Sequence, residues 1–115
     1  MIESYGPHER IRKKKDFTDL YKKGICARGR FFNLIHLPNG LAHSRMAAVT
    51  SKKVGNAVRR NRIRRKAREL YRRNKAWLPY AVDILVIAKK EFGDAAWTEL
   101  CERYRTALES IPDRR

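Results

Sequence analysis

Residues 51–74 read SKKVGNAVRRNRIRRKARELYRRN, the stretch with the highest density of charge in the chain. From Asn56 onward Ala, Arg, Leu, Glu and Lys dominate and neither Gly nor Pro occurs before Pro79, which favours a helix. Asn56 is suited to cap the first turn, and Gly55 lets the preceding chain turn into it. With about 3.6 residues per turn, one buried stripe holds Ile63, Ala67, Leu70 and Tyr71.

The rest of this predicted helix is crowded with basic side chains. Between Lys52 and Arg73 eleven residues are basic, and Glu69 is the only acid. Like charges three and four residues apart repel each other, and phosphate contact would relieve that repulsion. Most of these residues are arginine, whose planar fork matches phosphate oxygens two at a time. The alternative to a binding surface is a helix face that is simply solvated. A basic run so poor in acids predicts nucleic-acid binding instead.

Composition agrees with this prediction. A chain of 115 residues with 43% hydrophobic residues predicts one domain with one core. Lys and Arg number 28 against 12 Asp and Glu, which gives a net charge of +16 and implies an anionic partner, nucleic acid before membrane. The longest purely apolar run, residues 84–88, is far too short to cross a membrane, and the polar start at Met1 predicts no signal peptide. Cys26 and Cys101 lack metal-ligand spacing and are interpreted as reduced cytosolic thiols.

Patterns on either side of the basic helix predict the other elements. A short helix over Lys14–Lys23 ends at Gly24, and a last helix opens at Gly93-Asp94. Alternating or apolar runs predict four strands, at Ile25–Arg28, residues 30–37, residues 45–51 and residues 82–89. The predicted order is helix, three strands, basic helix, strand, helix, a two-layer α+β domain. Residues 1–10 and 110–115 are predicted to be flexible tails.

Aromatic side chains on the first helix allow two interpretations. Phe17, Leu20 and Tyr21 share one face, and core packing explains Leu20. Phe17 and Tyr21 are equally consistent with core packing and with a platform on which single-stranded bases stack.

Catalytic groups are not apparent in the sequence. His8, His36 and His43 have no partners at metal or catalytic spacing, and the acids are few and scattered. A nuclease that uses two metal ions needs clustered carboxylates. A metal-free ribonuclease could use two histidines and a lysine, but His36 and His43 flank a turn with no third feature in support. The residues themselves therefore predict binding without protein catalysis and without a protein-bound metal or other cofactor.

One motif inside the basic stretch resembles a known family. Over seventeen positions, Lys53-x-Gly55-x-Ala57-Val58-x-Arg60-Asn61-Arg62-x-x-Arg65-x-x-Arg68-Glu69 is similar to the signature of the protein subunit of bacterial ribonuclease P, including its Arg-Asn-Arg core. The resemblance implies an αβββαβα sandwich of the ribosomal-protein-domain type. It also implies a mixed four-stranded sheet, with the basic helix crossing over between parallel strands.

The resemblance also implies a function. In that family the catalyst is an RNA acting with Mg²⁺, and the protein helps it hold precursor tRNA while the 5′ leader is removed by hydrolysis. The implied partners are the catalytic RNA and precursor tRNA in the cytoplasm, with no DNA, no membrane and no required protein oligomer. The alternatives are a basic ribosomal or RNA-chaperone protein of the same fold, and a DNA-binding module, although no helix-turn-helix, zipper or zinc pattern is present.

Residue roles follow from the same resemblance. The residues expected to contact the catalytic RNA are Lys52, Lys53, Arg60, Arg62, Arg65 and Arg68. Those expected to form the cleft for the precursor-tRNA leader are Phe17, Tyr21, Phe32, Asn61 and Arg64.

Overall fold

The structure, a computed structural model, describes residues 5–112. This part of the chain contains seven helices and strands. They are α1 (Lys14–Lys23), β1 (Ile25–Arg28), β2 (Phe32–Pro38), β3 (Arg45–Thr50), α2 (Ala57–Arg73), β4 (Val82–Ala88) and α3 (Trp97–Glu109). Short 3₁₀ segments lie between or before them, at Pro7–Glu9, Lys52–Val54, Lys75–Trp77 and Lys90–Asp94. The αβββαβα order predicted from the sequence is confirmed.

Strand β4 lies inside a mixed sheet of order β1-β2-β4-β3. It pairs antiparallel with β2 and parallel with β3, while β1 pairs antiparallel with β2. Helix α2 therefore connects two parallel neighbours, as the resemblance implies. Six of the seven β4 residues are buried, which explains why its sequence is apolar on both faces.

Helices cover the two faces of the sheet unequally. On one face Leu34 and Ile84 belong to a cluster with Leu70 of α2 and Leu100 of α3. On the other face α1 supplies Leu20, which is fully buried against apolar residues that include Ile35 and Leu85. Burial of a leucine side chain contributes about 2 kcal/mol, so each helix is held mainly by a few such contacts.

The last helix begins later than the sequence predicts. Gly93 and Asp94 belong to a 3₁₀ segment, and α3 starts at Trp97 after Ala96, which makes no side-chain cap. Phe92 is fully buried and holds this segment against the core. The carboxylate of Asp94 pairs with Arg59 of α2 at 3.3 Å, so it joins two elements and does not cap a helix.

The N-terminal segment packs on the domain, in contrast with the predicted flexible tail. The Tyr5 hydroxyl donates to the Met46 carbonyl at 3.0 Å. Glu9 is buried and accepts hydrogen bonds from the Tyr71 hydroxyl at 3.0 Å and from Lys75 Nζ at 2.5 Å. Burial opposes ionisation of Glu9, but its bonds to Lys75, the Gly6 amide and Tyr71 lower its pKa overall. Residues 1–4 of this predicted tail lie outside the described residues.

The C-terminal segment shows the same contrast. Ile111, the second residue of the predicted tail, is 5% exposed and belongs to the main core cluster. Residues 113–115 lie outside the described residues.

An ion cluster fastens α1 to one end of the sheet. Arg45 of β3 donates two bonds to the Asp83 carboxylate of β4, at 2.9 and 2.6 Å, and a third to Asp16 of α1 at 3.4 Å. The Asn39 amide donates to Asp83 at 2.9 Å. The Asp83 side chain is 7% exposed and that of Arg45 is 19% exposed. Loss of one charge would leave the other largely desolvated.

We expect Asp83→Ala to lower the free energy of unfolding by about 3 kcal/mol, because Arg45 would stay buried without its main counter-charge. Asp19→Ala is the matched control, since Asp19 pairs with Lys23 at 4.0 Å and the Lys23 side chain is 70% exposed. This second change should cost at most about 1 kcal/mol. Urea unfolding followed by circular dichroism measures both; equal losses would show that the Arg45 cluster does not fasten the fold.

Candidate nucleic-acid interface

Helix α2 starts at a turn that the sequence encodes closely. Gly55 has φ +154°, and a Cβ there would lie 2.5 Å from Cδ of Arg59. The Asn56 side chain accepts a hydrogen bond from the Arg59 amide at 2.9 Å, so the predicted cap is confirmed. The turn also exposes Lys52 and Lys53 next to the helix start.

The predicted buried stripe of α2 is confirmed. Ile63, Ala67, Leu70 and Tyr71 are each at most 1% exposed. The single hydrogen of the Tyr71 hydroxyl is shared between the Glu9 carboxylate and the Ser44 carbonyl, which is 3.1 Å away, and burial raises the pKa of this phenol. The helix is therefore locked to β3 and to the N-terminal segment along one side.

Some of the arginines on α2 hold the fold. Arg59 Nε donates to the Val54 carbonyl at 3.1 Å, and its Nη2 reaches the Lys90 carbonyl at 3.2 Å and Asp94 at 3.3 Å. Glu69 accepts bonds from Arg72 at 2.8 Å and Arg73 at 3.2 Å. The Arg72 bond is the main reason that the pKa of Glu69 is lowered. These three cations already have carboxylate partners within the chain.

A second group of basic residues has no such partner. Within residues 5–112, no ion pair with an acid is formed by any of the six residues predicted to contact the catalytic RNA, Lys52, Lys53, Arg60, Arg62, Arg65 and Arg68. In this part of the chain the Nε atoms of Arg60 and Arg68 are buried and lack a hydrogen-bond partner. A buried donor of this kind gains by binding an anion from outside.

The helix sorts these side chains into two rows. Arg60, Arg64 and Arg68 follow one another at four-residue spacing and lie on one edge. Arg64 Nη1 donates to Thr50 Oγ1 at 3.2 Å and Nη2 donates to Asn61, so this edge borders β3. Arg62 and Arg65 are exposed on the outer surface. Residues predicted for two different RNAs thus share the edge beside β3.

The aromatic residues of α1 lie on the other face of the sheet. Phe17 is half-buried and packs on the cluster around Leu20, whereas Tyr21 is 57% exposed. The structure brings Phe17 and Tyr21 together, as the leader-cleft prediction requires. It does not place them on the same face of the sheet as Asn61 and Arg64.

Phe32 does not lie on the face of the sheet that carries Phe17. It is 3% exposed, and its ring packs edge-on against Phe92 at 5.9 Å and near Tyr104 of α3 at 6.4 Å. A ring on this face cannot form one cleft with Phe17 and Tyr21 of α1, so the prediction for Phe32 is corrected.

Residues that the sequence analysis did not single out line the α1 side of the sheet. Leu37, Val49 and Ile87 are half-buried there, on the α1 face. The alternation along β2 carries the signal, because Ile35 and Leu37 must point to the opposite face from Phe32. Val49 belongs to β3, the edge strand that Arg64 contacts through Thr50.

Two of the three histidines contact each other, which their positions in the sequence do not indicate. His8 and His43 contact each other edge to face at 5.0 Å, and His43 Nε2 is 3.0 Å from the His8 carbonyl oxygen. His36 is 1% exposed on the opposite side of β2 from Ile35, and burial lowers its pKa. Among residues 5–112, no group of three or more His, Cys, Asp or Glu could hold a metal ion. No helix in the same residues has the length and apolar character that crossing a membrane requires.

The fold and this surface define a class: a small basic α+β domain whose crossover helix presents unpaired arginines to a polyanion. Comparisons with known proteins name the family. The family model described as Ribonuclease P matches residues 6–112. The ribonuclease P protein component of Thermotoga maritima is 38% identical over 94 residues, covering 82% of this chain and 80% of that protein. The corresponding protein of Syntrophus aciditrophicus is 34% identical over 104 residues, covering 90% and 87%.

Solved structures agree. The RNase P protein from Thermotoga maritima superposes with a TM-score of 0.81 at 32% identity, covering 90% of this chain and 98% of that chain. The Staphylococcus aureus RNase P protein gives 0.79 at 33% identity, covering 93% and 98%. The chain belongs to the ribonuclease P protein family, which confirms the resemblance carried by the Arg-Asn-Arg motif.

Arg59 and Arg60, which are neighbours on α2, allow a direct test of the division between arginines that hold the fold and arginines without an acidic partner. We expect Arg59→Gln to lower the free energy of unfolding by about 1–2 kcal/mol, because its bonds to Val54, Lys90 and Asp94 are lost. Arg60→Gln makes the same change of charge one residue later and should stay within about 0.5 kcal/mol of the parent. Urea unfolding of both variants measures this, and a larger loss for Arg60→Gln would contradict the division.

Proposed function

We propose that this chain is the protein component of ribonuclease P. It binds the catalytic RNA and the 5′ leader of precursor tRNA, and it assists the endonucleolytic cut that produces the mature 5′ end of tRNA. The observation that carries the proposal is the set of six cations on and beside α2 that have no acidic partner within residues 5–112, in a chain of this family.

Charge explains how such a small protein assists two large RNAs. With a net charge of +16, it lowers the repulsion between two polyanions and releases counterions from both. It thereby replaces part of the Mg²⁺ that the RNAs need to associate. The row formed by Arg60, Arg64 and Arg68 lies at the β3 edge, while Arg62 and Arg65 face outward, so one helix offers contacts in two directions.

Catalysis belongs, in this proposal, to the partner RNA and its Mg²⁺. Four carboxylates of the described chain are already engaged by cations: Glu9 by Lys75, Glu69 by Arg72, Asp83 by Arg45 and Asp94 by Arg59. Glu9 and Asp83 are buried in these pairs, and among the described residues no three or more His, Cys, Asp or Glu lie close enough together to hold a metal ion. The protein supplies binding and orientation in a cytoplasmic ribonucleoprotein and requires neither DNA, a membrane nor a protein oligomer.

The leader cleft is redrawn around accessible side chains. Tyr21 offers a ring on which an unpaired base can stack, and Phe17 supports it from the core. Val49 continues the apolar floor to the β3 edge, where Asn61 and Arg64 reach a phosphate. A single strand fits this combination better than a duplex, since stacking needs splayed bases.

The decisive experiment is cleavage of precursor tRNA by a bacterial ribonuclease P RNA at low Mg²⁺, with and without the protein. We expect the protein to stimulate cleavage. The double change Arg60→Gln with Arg65→Gln should weaken binding to the catalytic RNA at least about tenfold, because one charge-assisted contact is worth about 1.5 kcal/mol. The slope of log K against log salt should also become shallower by about 1 to 2.

The matched control is Arg72→Gln with Arg73→Gln, which removes the same charge from residues that Glu69 already pairs. It should weaken binding much less. RNA binding without stimulation of cleavage would favour a general RNA chaperone, and cleavage by the protein alone would contradict the division of labour between protein and RNA.

A separate prediction concerns the leader. Tyr21→Ala should raise the Kd for precursor tRNA about tenfold and leave the Kd for mature tRNA unchanged, because base–aromatic stacking is worth about 1–3 kcal/mol. Trp77→Ala is the control, since Trp77 is also exposed, at 51%, but follows α2 and lies outside the proposed cleft. Equal losses for the two RNAs would remove Tyr21 from the leader site.

A further inference from the structure

A second cavity lies away from α2, between the β1–β2 turn and α3. Its volume is about 260 Å³, a little below the about 300–1,000 Å³ of sites for drug-sized molecules. Ala27, Phe31, Phe32 and Ala107 contribute apolar walls. A space of this size accepts a base or a ribose but not a folded molecule.

Three arginines surround this cavity. Arg28 ends β1, Arg30 lies in the β1–β2 turn and Arg103 comes from α3, and all three are exposed. The described residues that line the cavity include no acid. None of the three arginines forms an ion pair with a carboxylate of residues 5–112. Their fields therefore add, and the cavity attracts an anion.

The turn that follows Arg28 and carries Arg30 is fixed in place. Lys89 Nζ donates to the Gly29 carbonyl at 2.6 Å, and the Lys89 amide donates to the Phe31 carbonyl at 2.9 Å. The Gly29 amide donates to Asn33 Oδ1 at 3.4 Å. The Arg30 guanidinium lies over the Phe31 ring at 5.2 Å. The backbone of this turn is thus fixed before any ligand arrives, which lowers the entropic cost of binding.

The cavity and the α2 surface lie at opposite edges of the sheet. Strand β1 forms one edge and β3 the other. Arg64 of α2 borders β3, whereas the cavity touches β1 and α3. An RNA chain in this cavity is therefore a different contact from the one made by the Arg-Asn-Arg motif.

We propose that this cavity binds one nucleotide of an RNA strand, with Arg28 and Arg103 on its phosphate and with its base or ribose against the apolar wall. The inference rests on the RNA-binding role proposed above and adds a second site to it. Combined apolar and guanidinium contacts favour a nucleotide over inorganic phosphate, and the exposed rim lets the chain enter and leave.

Crosslinking locates the contact. The probe is an eight-nucleotide single-stranded RNA that contains 4-thiouridine, irradiated with the full-length protein and mapped by mass spectrometry. We expect crosslinks in residues 27–32 or 103–110, in addition to any on α1 and α2. The change Arg28→Gln with Arg103→Gln should reduce the yield at this site at least about tenfold, the equivalent of one charge-assisted contact. Lys22→Gln with Lys23→Gln removes the same charge from exposed residues of α1 and should leave that yield within about twofold.

A second variant pair keeps all arginines in place. Thr106 lines the cavity, and Thr98 lies exposed on the same helix outside it. Thr106→Glu should suppress the crosslink through repulsion of phosphate, while Thr98→Glu should not. Both variants must give the circular dichroism spectrum and unfolding midpoint of the parent.

Absence of crosslinks in residues 27–32 and 103–110, or equal yields for Thr106→Glu and Thr98→Glu, would overturn the inference. Failure of the proposed function would look different, since the parent protein would then not stimulate cleavage of precursor tRNA at low Mg²⁺. A protein that stimulates cleavage but shows no crosslink at the cavity refutes this second site alone.

Discussion

Burial of β4 on both faces is the constraint on which the rest of the structure depends. Leu85 faces α1, whereas Ile84 and Val86 face α2 and α3. Because the strand is covered on both sides, it needs hydrogen-bonded neighbours at both edges, which β2 and β3 supply. The parallel pairing with β3 then forces a long connection, and the connection is the arginine helix. The position of the proposed RNA-binding surface is thus a consequence of how the core closes.

Charge on this scaffold has two separate uses. Arg59 and Arg45 pair with carboxylates of other elements and hold these elements together, whereas Arg72 pairs with Glu69 within α2. Arg62 and Arg65 face solvent on the same helix without a carboxylate partner in residues 5–112. The first group stabilises the fold, and the second leaves repulsion that an anionic partner relieves. Net charge alone does not distinguish the two groups of arginines. They are distinguished by the positions of the few acids that pair with the first group.

Much of the fold could be predicted because local patterns were unambiguous. Asn56 as a cap, the stripe through Leu70 and the apolar run of β4 each allow one structure. The start of α3 could not be read in this way, since the burial of Phe92 outweighs the capping tendency of Asp94.

The site was predictable only in part. The residues on α2 follow from the motif, but the face that Phe32 occupies depends on which helix covers which side of the sheet. Arg28 and Arg103 meet only because α3 packs beside the β1–β2 turn. Residues so far apart in the chain leave no local pattern. The anchoring of Glu9 by Lys75 and Tyr71 is equally long-range.

Helix α2 is tied at both ends into the sheet, through β3 at its start and through the segment that leads to β4 at its end. Its 17 residues span about 26 Å. The buried stripe also packs the helix on the core, so the Cα positions of its arginines keep a fixed spacing. The protein therefore offers a fixed set of positions to which a flexible polyanion adjusts its own shape. The loss of conformational entropy on association then occurs mainly in the RNA.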